Sequence, residues 1–285
     1  MNYRALIDNR KSVRAFSDKK VPKNLLAELE SYFVREAKCL EPDIRTELVF
    51  FDDSSKAALE GAAGYNSFLV GAPQYLVLLS EKAERMYLNA GYLMEDLVLK
   101  LNDLGLDSCW VTFTDSEAVK DAVGMESELE VTAIVAFGYG IKTPRRLRLN
   151  ILSMSNVDIK AKRDYMEPKR SVYDLVFVRE WGNSRGLDDA MGFFDDMLWE
   201  AFHAAAQAPS YLNRQAYGFI LEDGRVHLVS RPDDYSTELD GALSLGIVLH
   251  HFSAVASQWA GDVKWSFGGE MALPKGHKLV ASCEL

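Results

Sequence analysis

One order of elements runs through this sequence twice: an amphipathic helix, a short strand, a long apolar helix and a closing apolar strand. In the first pass, Leu25, Leu26, Leu29 and Phe33 recur at helical spacing and predict a helix over residues 22–37, with Pro22 at its start. A strand is predicted at 47–51, a helix at 57–68 leading into Gly71-Ala72-Pro73, and an apolar strand at 75–79. The best helix covers 84–104, with Tyr87, Gly91, Leu93, Met94, Leu97, Val98 and Leu101 on a broad apolar face. An extended segment at 108–113, a short helix at 115–123 ended by Gly124, and a buried strand at 131–137 complete the pass. In the second pass a helix is predicted at 189–207, a hairpin at 217–221 and 226–229 around Asp223-Gly224, a long helix at 242–259 and a strand at 278–282. A period of about 155 residues is that of a duplicated domain, not of a short-repeat solenoid. Two units are therefore expected, residues 1–150 and 151–285. Residues 141–170, basic and with little apolar periodicity, read as the junction between them.

Composition narrows the function classes. The chain has 285 residues, more than a typical compact domain needs, with 48% hydrophobic and 26% charged residues. A net charge of −10 argues against general nucleic-acid binding, which needs a basic face, though a few clustered arginines suffice for one anionic ligand. Cys39, Cys109 and Cys283 are too few and too scattered for a disulfide framework or a zinc site, and suit a reducing compartment. Residues 1–14 carry charges every few positions, unlike a secretory leader, and no apolar run approaches the ~20 residues that span a bilayer. The expectation is a cytoplasmic protein with neither a membrane nor a nucleic-acid partner.

Two polar segments carry the candidate chemistry. Arg10-Lys11-Ser12-Val13-Arg14-Ala15-Phe16 places three cations and a hydroxyl within five residues, a set that suits a phosphate monoester and equally a solvated basic turn. Ala208-Pro209-Ser210-Tyr211-Leu212-Asn213-Arg214-Gln215 follows a helix that Pro209 cannot continue. Its amides and hydroxyl suit a ligand rich in hydroxyls and imide edges, and equally plain turn chemistry. Lys142, Arg145, Arg146 and Arg148 are either phosphate contacts or a solvated linker. Gly138-Tyr139-Gly140 lacks the third glycine and following helix of a dinucleotide fingerprint. His250 and His251, adjacent on a helix, point in different directions and form no metal pattern, so they read as packing or surface groups. No hydrolase or phosphotransferase motif is present, and no metal site or side-chain nucleophile is expected.

Taken together, the two segments resemble the nitroreductase family of flavin enzymes. Residues 10–16 are similar to its opening motif, and residues 208–219 to a second motif of the form A-P-S-x-x-N-x-Q-P-W-x-F, with Ala216-Tyr217 in place of Pro-Trp. Gly71-Ala72-Pro73, Leu104-Gly105-Leu106, Trp110, Thr112 and Pro144-Arg145-Arg146 extend the likeness over nearly the whole chain. Ordinary members carry both motifs in one domain and pair as homodimers, with the flavin at the interface. Here residues 34–46 stand where the first half should carry the second motif. In the second half, whose opening carries Lys169-Arg170-Ser171-Val172-Tyr173, the copy of the first motif has decayed to Arg170-Ser171-Val172-Tyr173. The chain thus resembles tandem members in which one polypeptide imitates the dimer, holding one complete site and acting as a monomer.

The resemblance implies an α+β fold of two lobes, each a mostly antiparallel sheet flanked by helices. It implies a bound FMN, with Arg10 and Ser12 at the phosphate and ribityl chain, Lys11 assisting, and Arg14 at the pyrimidine edge. Pro209, Ser210, Tyr211 and Asn213 would approach from the other half. Trp110 and Thr112 would line the ring, Asn66 would lie beside the pyrimidine, and Arg145 and Arg146 would be further phosphate contacts. NAD(P)H would donate hydride to the flavin, and a small-molecule acceptor such as a nitroaromatic, quinone, enone or free flavin would then be reduced in a ping-pong reaction. An FMN-binding protein without turnover, for storage or sensing, needs the same contacts. A scaffold that has lost the cofactor is the remaining alternative.

Overall fold

A computed structural model of the chain describes residues 1–65, 69–141, 146–153, 156–162, 168–188 and 195–285. Its described helices are α1 (Tyr3–Asn9), α2 (Lys23–Arg35), α3 (Lys56–Leu59), α4 (Met86–Asp103), α5 (Ser116–Val123), α6 (Val172–Leu175), α7 (Asp195–Ala206) and α8 (Glu238–Ala260). The strands are β1 (Thr46–Asp52), β2 (Gln74–Ser80), β3 (Asp107–Val111), β4 (Glu130–Gly138), β5 (Arg146–Ser153), β6 (Asn156–Lys162), β7 (Val176–Val178), β8 (Tyr217–Glu222), β9 (Arg225–Ser230), β10 (Ser266–Phe267) and β11 (Lys278–Glu284).

Two main sheets repeat one topology. The first has the order β1-β2-β4-β3, all antiparallel, and the second the order β8-β9-β11-β10, also antiparallel. The second sheet gains a fifth strand, β7, parallel to β8 with Phe177 opposite Ile220. Several sequence expectations need correction. The region read as a featureless junction contains the β5–β6 hairpin, whose Leu147-Leu149-Ile151 and Val157-Ile159-Ala161 alternation has the period of a strand. The helix expected at 57–68 is a single turn at Lys56–Leu59. Residues 189–194, where the 189–207 helix should begin, lie outside the described residues.

The two long helices α4 and α8 hold the sheets together. Gly91 approaches α8 so closely that an added Cβ would stand 2.3 Å from the Leu243 carbonyl oxygen, and at Gly246 it would stand 2.1 Å from that of Leu88. Only a residue without a Cβ permits this backbone contact. Adding 155 to each number turns Gly91 into Gly246 and Leu88 into Leu243, so the two contacts exchange under that shift. The buried carboxylate–histidine contacts beside them behave alike: Glu95 meets His251 and Asp96 meets His250, and the shift maps Glu95 to His250 and Asp96 to His251. Residue i meeting j while j meets i is the signature of a two-fold interface.

Helix α8 also corrects the expectation that no segment could span a bilayer. By length and composition it is apolar enough, but 72% of its apolar window is buried against the rest of the protein. Phe252 on α8 packs with Phe202 of α7 and Phe219 of β8, and the same cluster takes in Leu88, Tyr92 and Leu99 of α4. It is the core helix joining both layers.

Candidate functional site

The first polar segment is shaped by what precedes and follows it. Helix α1, unexpected from the sequence, ends at Arg10, and the chain then runs extended beside β3. Ser12 bridges Ser108 in parallel, Val13 N–H donates to the Ser108 carbonyl at 2.9 Å, and Phe16 bridges Gly140. The Arg10 side chain, 7% exposed, places Nε 3.6 Å from Glu95 Oε1. Its Nε and Nη1 are buried without a hydrogen-bond partner. A buried guanidinium with unfilled donors is costly unless an acceptor meets it, and an anionic ligand is such an acceptor. Lys11, Ser12 and Arg14 are exposed.

The second segment leaves α7 as a loop with three non-glycine residues in the left-handed region: Leu212 at φ 47°, Asn213 at 54° and Gln215 at 45°. Each such residue costs on the order of 1–3 kcal/mol and persists only where its surroundings hold it. The surroundings here do so. Gln215 N–H donates to Ser210 Oγ at 3.0 Å, Gln215 Oε1 accepts from Arg170 N–H at 2.9 Å, and Gln215 Nε2 donates to the Ala206 carbonyl at 2.9 Å. Tyr211 N–H donates to Ser244 Oγ on α8 at 3.1 Å. Pro209 is buried where the helix has ended.

The two segments meet through Lys169. Its ammonium donates to Asn213 Oδ1 at 2.7 Å and to the Ala208 carbonyl at 2.8 Å, while Asn213 Nδ2 donates to the Pro168 carbonyl at 3.1 Å. Burial and the nearby positive charge of Arg10 push the Lys169 ammonium down to about 8. The sequence reading gave Lys169, at the opening of the second half, no role of its own. The lysine joins Arg10 and Asn213 in one site, which sequence reasoning missed because its partners lie far away in the chain. Tyr173, by contrast, turns away: its ring lies 5.4 Å from that of Trp199 and its hydroxyl donates to Asp188 at 3.0 Å.

The remaining expected residues divide. Trp110 donates its indole N–H to Glu95 Oε2 at 2.8 Å, and Thr112 donates its hydroxyl to Asp240 Oδ1 at 2.8 Å, so both tie β3 to the long helices. Burial holds the Asp240 carboxyl above its ordinary range, against its bonds from Thr237 and Thr112. Tyr65 stands 6.4 Å from Tyr211, ring to ring, across the two halves. Asn66 and Arg145 lie outside the described residues, as does Lys142, and Arg146 is the first residue of β5. The sequence reading of His250 and His251 was incomplete: both are fully buried and face carboxylates of α4.

A solved structure described as a "putative nitroreductase" from Thermotoga maritima matches over 100% of this chain and 94% of that one, at 18% identity and a TM-score of 0.60. A nitroreductase family protein from Clostridium novyi NT matches 50% of this chain and 86% of its own at 19% identity, with a TM-score of 0.44. One from Clostridium difficile 630 matches 51% and 88% at 22% identity, with a TM-score of 0.43. No curated protein matches the chain. At such identities the Thermotoga likeness establishes the fold alone, which is the nitroreductase-like α+β fold. The model of the family described as "Putative TM nitroreductase" matches residues 2–256, and the chain belongs to that nitroreductase family.

Proposed function

We propose that this chain binds one FMN between its two halves and works as an NAD(P)H-dependent oxidoreductase on a small-molecule acceptor. The family supports the general class, a flavin oxidoreductase. What carries the more specific reading is Lys169, bonded to Asn213 and close enough to Arg10 to feel its charge, beside a buried Arg10 whose nitrogens are left unfilled. That set fits a phosphate monoester. Arg10 and Lys169 would hold the phosphate, with Ser12 beside them. Asn213 and Ser210 would meet hydroxyls of the ribityl chain, and Arg14 would supply positive charge at the ring. Bound there, the flavin would supply two-electron transfer between nicotinamide and acceptor, chemistry that belongs to the cofactor and not to a side chain. Residues 1–150 and 151–285 would act as the two halves of a dimer within one chain, a reading supported by the repeated strand order and the exchanging contacts of α4 and α8.

The purified protein should be yellow, release FMN and not FAD on denaturation, and bleach when NADH or NADPH is added without oxygen. A colourless protein that gains no visible absorbance with added FMN would end the proposal. FMN that stays oxidised under both nicotinamides would point to storage or sensing instead.

Lys169 provides a second test. Its ammonium, pushed down to about 8, is half deprotonated near that pH, and a phosphate beside it would favour the charged form. FMN binding should therefore take up protons above pH 8, and affinity should fall as pH rises through that range. Calorimetric titrations in two buffers of different ionisation enthalpy should reveal the uptake, and Lys169→Met should remove it. Uptake unchanged in that variant would move the phosphate away from Lys169.

A further inference from the structure

Behind Arg10 lies a buried group to which no role has been assigned. Glu95 on α4 is fully buried; its Oε1 lies 2.8 Å from His251 Nε2 and 3.6 Å from Arg10 Nε, and its Oε2 accepts from the Trp110 indole. The other ring nitrogen of His251, Nδ1, lies 2.9 Å from the Ala204 carbonyl oxygen at the end of α7. A carbonyl can only accept, so Nδ1 carries a hydrogen. The contact between Nε2 and Oε1 then needs one more, because two lone pairs facing each other at that distance repel. Whether this proton sits on nitrogen or oxygen, the pair as a unit has no net charge.

That neutrality matters to Arg10. A bare Glu95 carboxylate at 3.6 Å would cancel the arginine's charge; a carboxylate already satisfied by an imidazolium does not. We infer that Glu95 and His251 are positioning residues acting as one neutral, proton-sharing unit, which holds Arg10 and Trp110 in place while leaving the arginine's charge available to an anion. This inference rests on assigning Arg10 to the FMN phosphate.

The groups that face the unit are consistent with it. On the N-terminal segment the nearest is Arg10, with Lys169 beyond it. On β3 it is Trp110, with Cys109 near Arg10, and on α7 the Ala204 carbonyl. On α4 and α8 the neighbouring Asp96 carboxylate is separately satisfied by Tyr3, Tyr32 and the Lys38 N–H, while His250 lies 3.1 Å from it, with both ring nitrogens outside hydrogen-bond geometry and the Tyr92 ring packed on its own. Burial works to raise the Glu95 carboxyl and to lower the His251 imidazole, and the bond between them opposes both; the two ring-nitrogen contacts of His251, at 2.9 and 2.8 Å, are what place the shared proton in the pair. Loss of the shared proton at high pH would leave the unit negative and Arg10 compensated, so anion affinity would fall.

The test compares FMN with riboflavin, which lacks the phosphate, by fluorescence titration of the full chain. In His251→Asn the unpaired Glu95 carboxylate turns to Arg10. FMN should then bind about tenfold more weakly or worse, with riboflavin unaffected. Adding Glu95→Gln to that variant should restore FMN binding. Equal losses for both ligands, or no restoration, would overturn the inference. Should His251→Asn not fold, Glu95→Gln alone decides. FMN binding equal to or tighter than that of the unmodified chain is expected, and weaker FMN binding would overturn the inference. If the unmodified chain binds FMN no better than riboflavin, the assignment of Arg10 to the phosphate fails instead.

Discussion

Gly246→Ala is expected to destabilise the chain by roughly 3–5 kcal/mol, the upper range for single substitutions. The added Cβ would stand 2.1 Å from the Leu88 carbonyl oxygen and 2.7 Å from the Tyr92 nitrogen, both backbone atoms of a fully packed helix. Nothing there is the yielding end of a side chain. Relief requires α4 and α8 to separate, which would also pull Glu95 from His251 and Asp96 from His250. Urea denaturation of Gly241→Ala provides the control, because Gly241 lies on the same helix with nothing within 4 Å of its Cβ position. That variant should be neutral or slightly more stable, since alanine favours helix. Similar losses in the two variants would mean that helix propensity, not close approach, explains the effect, and the α4–α8 crossing would need revision.

Much of the architecture was legible because its signals are local. Gln74–Ser80 and Glu130–Gly138 announce themselves as apolar runs, and the Asp115 cap and Gly124 stop bound α5 to within a residue. The repeated element order was legible in the sequence, and the structure adds that the strand order of the two main sheets repeats as well. What escaped the sequence was of two kinds. Short elements such as α1 and β7 are stabilised by packing, not propensity: Ile7 is buried among residues of α7 and α8, and β7 exists because β8 offers it an edge. Polar residues buried at the interface also escaped. Asn89, Glu95 and Asp96 lie on the helix whose apolar face was read correctly, yet they are fully buried by a second apolar helix 155 positions away.

The site shows the same division. Arg10 and Asn213 were legible because each belongs to a compact segment of unusual chemistry. Lys169 was not, because a lone lysine in a basic stretch is informative only once its ammonium is seen on Asn213. The interface histidines have a further reason for their identity. Two copies of the first half, paired as α4 and α8 pair here, would set Glu95 against Asp96 twice, four buried carboxylates with no cation between them. His250 and His251 replace two of these, a change that a single chain with two different halves allows and a symmetric dimer does not.

Under the proposed function that asymmetry predicts one FMN per chain, with Arg10→Ala expected to weaken its binding by on the order of a hundredfold. At the site built from Arg10, Lys169 and Asn213, donors are left over. At the mirror-related position the donor left over is the neutral Asn89 Nδ2 amide, not a cation. The segment that should carry the second motif gives its Leu40 and Glu41 N–H groups to Asn89 Oδ1 at 2.9 and 3.0 Å, as Tyr211 gives its own to Ser244, the residue 155 positions after Asn89. Around that shared contact stands no counterpart of Ser210 or Asn213: residues 38–46 read Lys-Cys-Leu-Glu-Pro-Asp-Ile-Arg-Thr. Ser171 spends its hydroxyl on Asp174 in a capping box, and Tyr173 offers no charge. Absorbance of released flavin measured against chain mass should give a ratio of one, with the chain monomeric by light scattering. Asn213→Ala should weaken FMN as well, but less than Arg10→Ala, since it removes neutral hydrogen bonds and not a charge-assisted contact. Two flavins per chain, or Arg10→Ala binding FMN as tightly as the unmodified protein, would show that the halves do not share a single site.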